Sequence, residues 1–573
     1  MISKTGGLAV KVFAAIIAVG IVGGGAAWFI SNQSGVNEDY VPGDSVMRRL
    51  TAEQYTNVVS DVFGKDIKLG GRFEPDLRVE GLYAVGASHV SVTGAGMEQY
   101  DAMARTIASQ VVDESHRRLT IPCEPKDPSA ADDACVRKFF ERTGALLYRR
   151  PITDTQLDTY VTAARDATGM VGDFYEGLSL SLSAMLSAPE FIFRQQVVEP
   201  DPSHKGDYRL DAYSKASELS FFLWNSTPDA QLLEAAESGA LHKPKGLKAQ
   251  VDRMIASPRL KAGTRAFFID NFRFDDFANL TKDTELFPKY NAEVAAAAQE
   301  QTLKTVVDLL LNKKEDYRKL FTTRDTFLTP QLGSIYQVPV VQAGPNGAPE
   351  AWQPYEFSDT DPRAGILTHL SFTGLHSPAG RGSPTLRGMA VREVMLCQHV
   401  PAPPANVNFT LVEDIGNQIH KTARERLAAH ATVPSCAGCH KLMDPLGFAL
   451  ENFDGAGAFR THENGAPIDT HGELDTVPFK DAAGLGVAVS NNPSTTSCLV
   501  ERLVSYARGR TSDRGEKSWL DEMTESFADS NYRLPNLMQQ IASSEEFYRV
   551  SAPAKSVADN NSHGISFALA EKE

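Results

Sequence analysis

The chain has 573 residues but only six cysteines, and two of them lie three apart with a histidine directly after. They sit in "VPSCAGCHKLMDPLGFALENFD" (433–454), as Cys436, Cys439 and His440. Two thiols and an imidazole at this spacing suit three kinds of chemistry. A tetrahedral zinc site needs two more ligands at suitable spacing, and the sequence has no second CxxC. A thioredoxin-like redox pair belongs in a βαβ pattern, which the sequence lacks. The third is covalent haem: the thiols add to the two vinyl groups and the histidine ligates the iron. CxxCH is the attachment signature of c-type haem. The motif therefore predicts one covalent haem c on Cys436 and Cys439, with His440 on the iron.

The neighbouring residues are read as its support. Asp444 and Pro445 look like an N-cap and a first helical position. They predict a short helix from about Pro445 to Phe453, with Leu446, Leu450 and Phe453 as its apolar stripe and Gly455 as its stop. Glu451 and Asp454 read as a solvated face and C-terminal hydrogen bonds rather than catalytic carboxylates. Asn464-Gly465 predicts a hairpin. Met443 follows His440 too closely to reach the opposite haem face. The distal iron position is left to His376, His399, His462, His471, Met523 or Met538; His462 and His471, flanking the hairpin, are the best placed. Arg508 and Arg510 in "YARGR" suit haem propionates, or equally a cationic helix C-terminus.

The N-terminus bears on where such chemistry takes place. Lys4 and Lys11 precede the uncharged, apolar run 12–30. As a helix the run spans about 28 Å, close to the ~30 Å hydrocarbon core. It predicts a signal-anchor with the remainder exported to the periplasm. Gly25-Ala26-Ala27 offers the alternative of a cleaved signal peptide, with the chain released after export. In an oxidising compartment Cys123 and Cys135, flanking a short polar loop, read as a disulfide. Cys397 and Cys498 read as a second disulfide or as buried thiols.

The rest of the chain must position this segment. It is 42% hydrophobic and 23% charged, with net charge −15. Length and composition predict several globular domains, and the acidic balance argues against a nucleic-acid partner. Capping boxes open helices at Thr51–Gln54 and Thr153–Gln156. The stretch 174–194 reads as one long core helix. Residues 210–242 read as two helices around a turn at Thr227-Pro228. The run 290–312 is helical, and helix signals fade between about 325 and 380. Ser383 caps a helix running to about Cys397. "PAPPANVN" (401–408) reads as a stiff linker, and the region from Ser497 to Arg549 is again helical. The class is mainly α: a multi-domain helical protein with a small C-terminal c-type haem module containing a short β-hairpin. Expected units are 1–45 (anchor and tether), 46–125, 126–200 and 201–340 (helical), 341–408 (loop-rich, ending in the linker), 409–490 (haem module), 491–550 (helical) and 551–573 (tail).

Several stretches carry a family resemblance: "RRLTAEQYTNVVSDVFG", "CVRKFFERTGALLYRRPITDTQLDTYV", "SPTLRGMAVREVMLCQHVPAPPANV", "TARERLAAHATVPSCAGCHKLMDPLGFALENFDGAGAFR" and "CLVERLVSYARGR". In this order they resemble multi-module exported proteins of tandem domains of unknown function with a planctomycete-type cytochrome c-like segment. The resemblance spans about 46 to 550. It implies a single haem on Cys436, Cys439 and His440, export, and counterparts of both cysteine pairs, 123/135 and 397/498. One departure is Gly382, where similar proteins often carry threonine.

The sequence contains no G-x-S-x-G, HExxH, P-loop or Rossmann fingerprint. The expected function is periplasmic electron transfer, with the helical N-terminal part docking a redox partner protein and the anchor holding the inner membrane. A haem-dependent oxidoreductase, or a scaffold with a structural haem, are the alternatives.

Overall fold

A computed structural model describes residues 40–340, 352–402, 410–430, 432 and 434–552. The expected anchor at 12–30 and most of the proline-rich 401–408 stretch lie outside these. Among the described residues no helix is long and apolar enough to cross a membrane. The protein is mainly helical, and its sheets have only two or three strands.

Two apolar cores organise it. The first gathers side chains from Leu50 to Ile192, joined by Phe221. The helices Ala52–Phe63, Gly94–Val112, Asp133–Tyr148, Asp154–Val171 and Phe174–Leu186 supply most of it. Thr51 with Gln54, and Thr153 with Gln156, form complete capping boxes. Cys123 and Cys135 are joined in a disulfide. The expected single helix over 174–194 is broken: it ends at Leu186, a turn occupies Pro189–Ile192, and Phe193–Gln195 is a strand. Pro189 is the cause. It has no N–H to continue the ladder, and it holds Ala188 extended. The strand pairs with Met47–Arg49, closing the first unit.

The second core runs from the helix Ala212–Trp224 to Val550, with Tyr40 and Leu82 joining from the N-terminal side. The expected helix 290–312 is present as Ala292–Val307 with a π-turn at Asp308–Asn312. The chain end returns to this core: Arg549–Val550 pairs with Tyr208–Leu210. Ser383 caps Pro384–Ala390, and a π-turn at Val391–Met395 leads to Cys397. Cys397 is bonded to Cys498, on the helix Pro493–Arg508. Asn464 and Gly465 both take positive φ, 49° and 76°, and turn the hairpin of His462–Glu463 and Ala466–Pro467.

Candidate functional site

The CxxCH motif lies inside one helix, Pro434–Phe448. This corrects the expected helix 445–453. Pro445 is an interior residue, and Asp444 is not an N-cap. A proline there forfeits one backbone hydrogen bond. Packing on both sides of it compensates. A methyl placed on Gly388 would lie 1.9 Å from the Met443 carbonyl oxygen, and one on Gly447 would lie 1.8 Å from that of Pro384. The helices Pro384–Ala390 and Pro434–Phe448 therefore touch backbone to backbone, through one glycine on each.

Continuous helix sets the donor geometry. Cys436, Cys439 and His440 stand at i, i+3 and i+4, on one face of one turn. Neither cysteine belongs to a disulfide. All three side chains are part-buried, while Ala437 and Gly438 are exposed. One turn further on, Asp444 Oδ2 lies 2.8 Å from His440 Nδ1. Thr385 Oγ1 donates to the other Asp444 oxygen at 2.8 Å. Asp444 is buried, and its hydrogen bond raises the His440 pKa, against the opposing effect of burial. With Nδ1 held by a carboxylate, Nε2 is the ring nitrogen that would ligate a metal. Histidines that ligate metals commonly have this second partner. Two thiols and an oriented imidazole on one turn fit covalent haem.

Beside this turn, the His430 ring contacts that of His440 at 5.4 Å between centroids. The Arg424 guanidinium stacks 3.9 Å from the centre of Phe448 and pairs with Asp469 at 3.2 Å. Thr385, His430 and Arg424 are not marked by the sequence, and Asp444 is marked there only as an N-cap. The signal for Asp444 was the His440–Asp444 i,i+4 spacing, which becomes readable only once the helix is known to run through Pro445.

The other expected residues are placed elsewhere. His462 and His471 are exposed; their Nδ1 atoms meet Thr461 Oγ1 at 2.9 Å and Asp469 Oδ1 at 2.8 Å. His376 is packed against Phe372, and burial first, then nearby cations, pushes its pKa down to about 3. Met523 and Met538 are core residues of the C-terminal helices. Arg508 and Arg510 both bind Glu516, with Arg508 also on the Tyr40 hydroxyl at 3.0 Å. Their guanidiniums are thus taken by protein carboxylate, and their hydrogen bonds join the C-terminal helices to the segment at residue 40. Among the described residues no group of three His, Cys, Asp or Glu side chains is arranged to hold a metal ion.

Glu451 is not on a solvated face. It is buried between Arg387, at 3.2 Å, and Arg460, at 3.1 Å. Arg387 is fully buried and also donates to the carbonyls of Thr373, Leu450, Phe453 and Asp454. It ties the end of the CxxCH segment to the loop before Ser383. At Gly382 a β-carbon would meet Glu451 Oε1 at 3.1 Å, so a threonine there would crowd this cluster.

Five family models match in tandem, each described as a protein of unknown function: DUF1587 over 48–113, DUF1595 over 135–196, DUF1592 over 210–338, DUF1588 over 363–463 and DUF1585 over 475–547. The chain is a tandem array of five domains of unknown function. No curated protein and no solved structure matches it. Within the array, the fourth domain contains both glycine-contacting helices and the whole CxxCH motif. It runs across residue 408, the border that the proline-rich stretch predicts. The contacts of Gly388 and Gly447 and the Arg387 cluster show why: the segments on either side of that border pack as one unit.

Proposed function

We propose that the array is an exported electron-transfer protein carrying one haem c on its fourth domain, with the preceding helical domains docking a redox partner protein in the periplasm. The observation that carries this reading is the shared helix face of Cys436, Cys439 and His440, with Asp444 on His440 Nδ1. Haem bound there supplies a one-electron couple whose potential follows its axial ligands and their hydrogen bonds. Cys436 and Cys439 would hold the haem covalently through their thiols. His440 presents Nε2. Asp444, steadied by Thr385, fixes the ring orientation and strengthens the imidazole as a donor.

A fixed relay suits the packing better than a swinging carrier. The glycine contacts join the CxxCH helix to Pro384–Ala390, and the Cys397–Cys498 bond joins that segment to the fifth domain. Export and retention at the inner membrane rest on Lys4, Lys11 and the 12–30 run. The test is a reduced-minus-oxidised spectrum of the matured full-length protein, with and without carbon monoxide. The proposal expects a c-type spectrum unchanged by carbon monoxide. Strong binding by the native ferrous form would overturn electron transfer in favour of an enzyme with an open iron position.

A further inference from the structure

A pocket lies between the second and third domains, away from the CxxCH helix. Its second-domain wall carries Arg149, Glu190 and Phe193, and its third-domain wall carries Tyr213 and Ser217. Arg149 ends the helix Asp133–Tyr148 in the left-handed conformation, at φ 60°. Ser217 lies one turn after Tyr213 on the helix Ala212–Trp224. The pocket has a volume of about 50 Å³. One water needs only roughly 10–15 Å³.

Two polar groups on its walls are unused. Arg149 and Ser217 are 4% and 6% exposed. The terminal nitrogens of Arg149 donate to the carbonyls of Leu147, Glu190, Phe191 and Phe193, and its Nε–H donates to nothing among the described residues. Ser217 Oγ makes no hydrogen bond among them either. Neither atom is sealed off in the way that Arg48 Nε and Arg194 Nε are, so each keeps surface for a ligand.

The pocket also holds one unmatched charge of each sign. Among the described residues Arg149 has no carboxylate within ion-pair distance. Glu218, which acts on it from further off, is shared by Arg48 and Arg194. Glu190 has no cation within that distance, and its carboxylate accepts only from the Gln156 amide, at 3.4 Å. By contrast Arg150, which also lines the pocket, pairs with Asp211 at 3.3 Å. Burial, and then Arg150 beside it, pushes Arg149 down to about 9. An enclosed charge without a counter-ion is strongly unfavourable. Water or a neutral polyol would satisfy the N–H and O–H groups but neither charge. A simple anion would match Arg149 and stand as a second negative charge beside Glu190. A ligand carrying both signs matches both.

We propose that this pocket binds a small zwitterion, an α-amino acid, with its carboxylate on Arg149 Nε–H and Ser217 O–H and its ammonium on Glu190. Phe193 and Tyr213 flank the remaining space, which suits a side chain of only a few atoms. The ligand bridges the second and third domains. Binding does not depend on haem, so this proposal and the haem reading fail separately.

The test is calorimetric titration of the full chain with glycine, L-alanine and L-serine. At least one should bind saturably, one per chain, at concentrations up to about 50 mM. The N-acetyl derivative of that amino acid lacks the ammonium, and its amide lacks the carboxylate. Each should bind at least about tenfold more weakly than the amino acid itself. Glu190→Gln should erase the discrimination against the N-acetyl derivative and keep that against the amide, a pattern that a merely destabilised protein would not give. No saturable binding of any of the three amino acids overturns the proposal. So does equal binding of either derivative, or binding of acetate or glycerol as tight as that of the amino acid. A folded Glu190→Gln protein that keeps the full discrimination also overturns it. Should that variant fail to fold, the ranking of the probes on the wild-type protein decides.

Discussion

The first core and the fourth domain hold their helices together by different means. Between residues 50 and 192 the packing is mostly interdigitated side chains: Tyr55, Phe139, Phe140, Leu178 and Leu182 are all fully buried, although a methyl on Gly177 would also come within 2.8 Å of the Ala164 carbonyl oxygen. In the fourth domain the two principal helices meet through glycine, with a buried arginine gathering carbonyls at one end. Side-chain packing tolerates adjustment, because neighbouring rotamers can shift. Backbone contact does not, because there is no side chain to give way. In the fourth domain this contact holds one helix at one fixed distance, and that helix carries the CxxCH motif.

The sharpest way to break this contrast is Gly388→Val. Its branched side chain would run into the Met443 carbonyl, and the helices would have to separate. The expected loss exceeds about 4 kcal/mol, read as proteolytic cleavage within 363–463 while 48–196 stays resistant. Equal resistance of both regions would show that the contact is dispensable. Next in size is Arg387→Met, which leaves Glu451 buried with Arg460 alone. About 3–5 kcal/mol should be lost in urea unfolding. A change within 1 kcal/mol would mean the cluster is not what closes the fourth domain. In the first core, Leu182→Ala removes side-chain packing only. It should cost about 3 kcal/mol and leave the fourth domain's protection from hydrogen exchange unchanged.

The smallest effect is confined to acid. Burial opposes ionisation of Glu516, but Arg510 and Arg508 outweigh it and pull the carboxyl from its ordinary 4.5 down to about 2. A depressed carboxylate contributes stability above its unfolded pKa and loses it as pH falls through the folded one. Stability from this group should therefore decline between about pH 4.5 and 2. Glu516→Gln should flatten that decline, as followed by unfolding at a series of acid pH values. An unchanged acid limb would show that the arginine pair does not depend on this charge.

Much of this arrangement could be read in the sequence, because local rules decide it. The capping boxes at Thr51 and Thr153, the cap at Ser383 and the Asn464-Gly465 turn depend on neighbours three residues away or fewer. The placement of the thiols and imidazole on one turn was legible for the same reason. Elsewhere tertiary contact prevailed. Pro445 reads as a helix start, yet a helix pressed against Pro384 and Gly388 runs through it. Pro189 did break a stretch whose apolar content read as continuous helix. Glu451 looks like a surface charge and Arg508 like a propionate partner or helix cap, and their buried partners, Arg387 and Glu516, lie 64 and 8 residues away. No periodicity reports a partner 64 residues away.

The central claim is that the helix Pro434–Phe448 carries a covalent haem on the face of Cys436, Cys439 and His440. The most direct measurement is the mass of the peptide spanning these residues, after expression with c-type maturation machinery and denaturation of the full chain. The account predicts that this peptide carries the mass of one haem, and that the Cys436→Ala, Cys439→Ala double variant carries none. An unmodified wild-type peptide, or haem that leaves on denaturation, would contradict it.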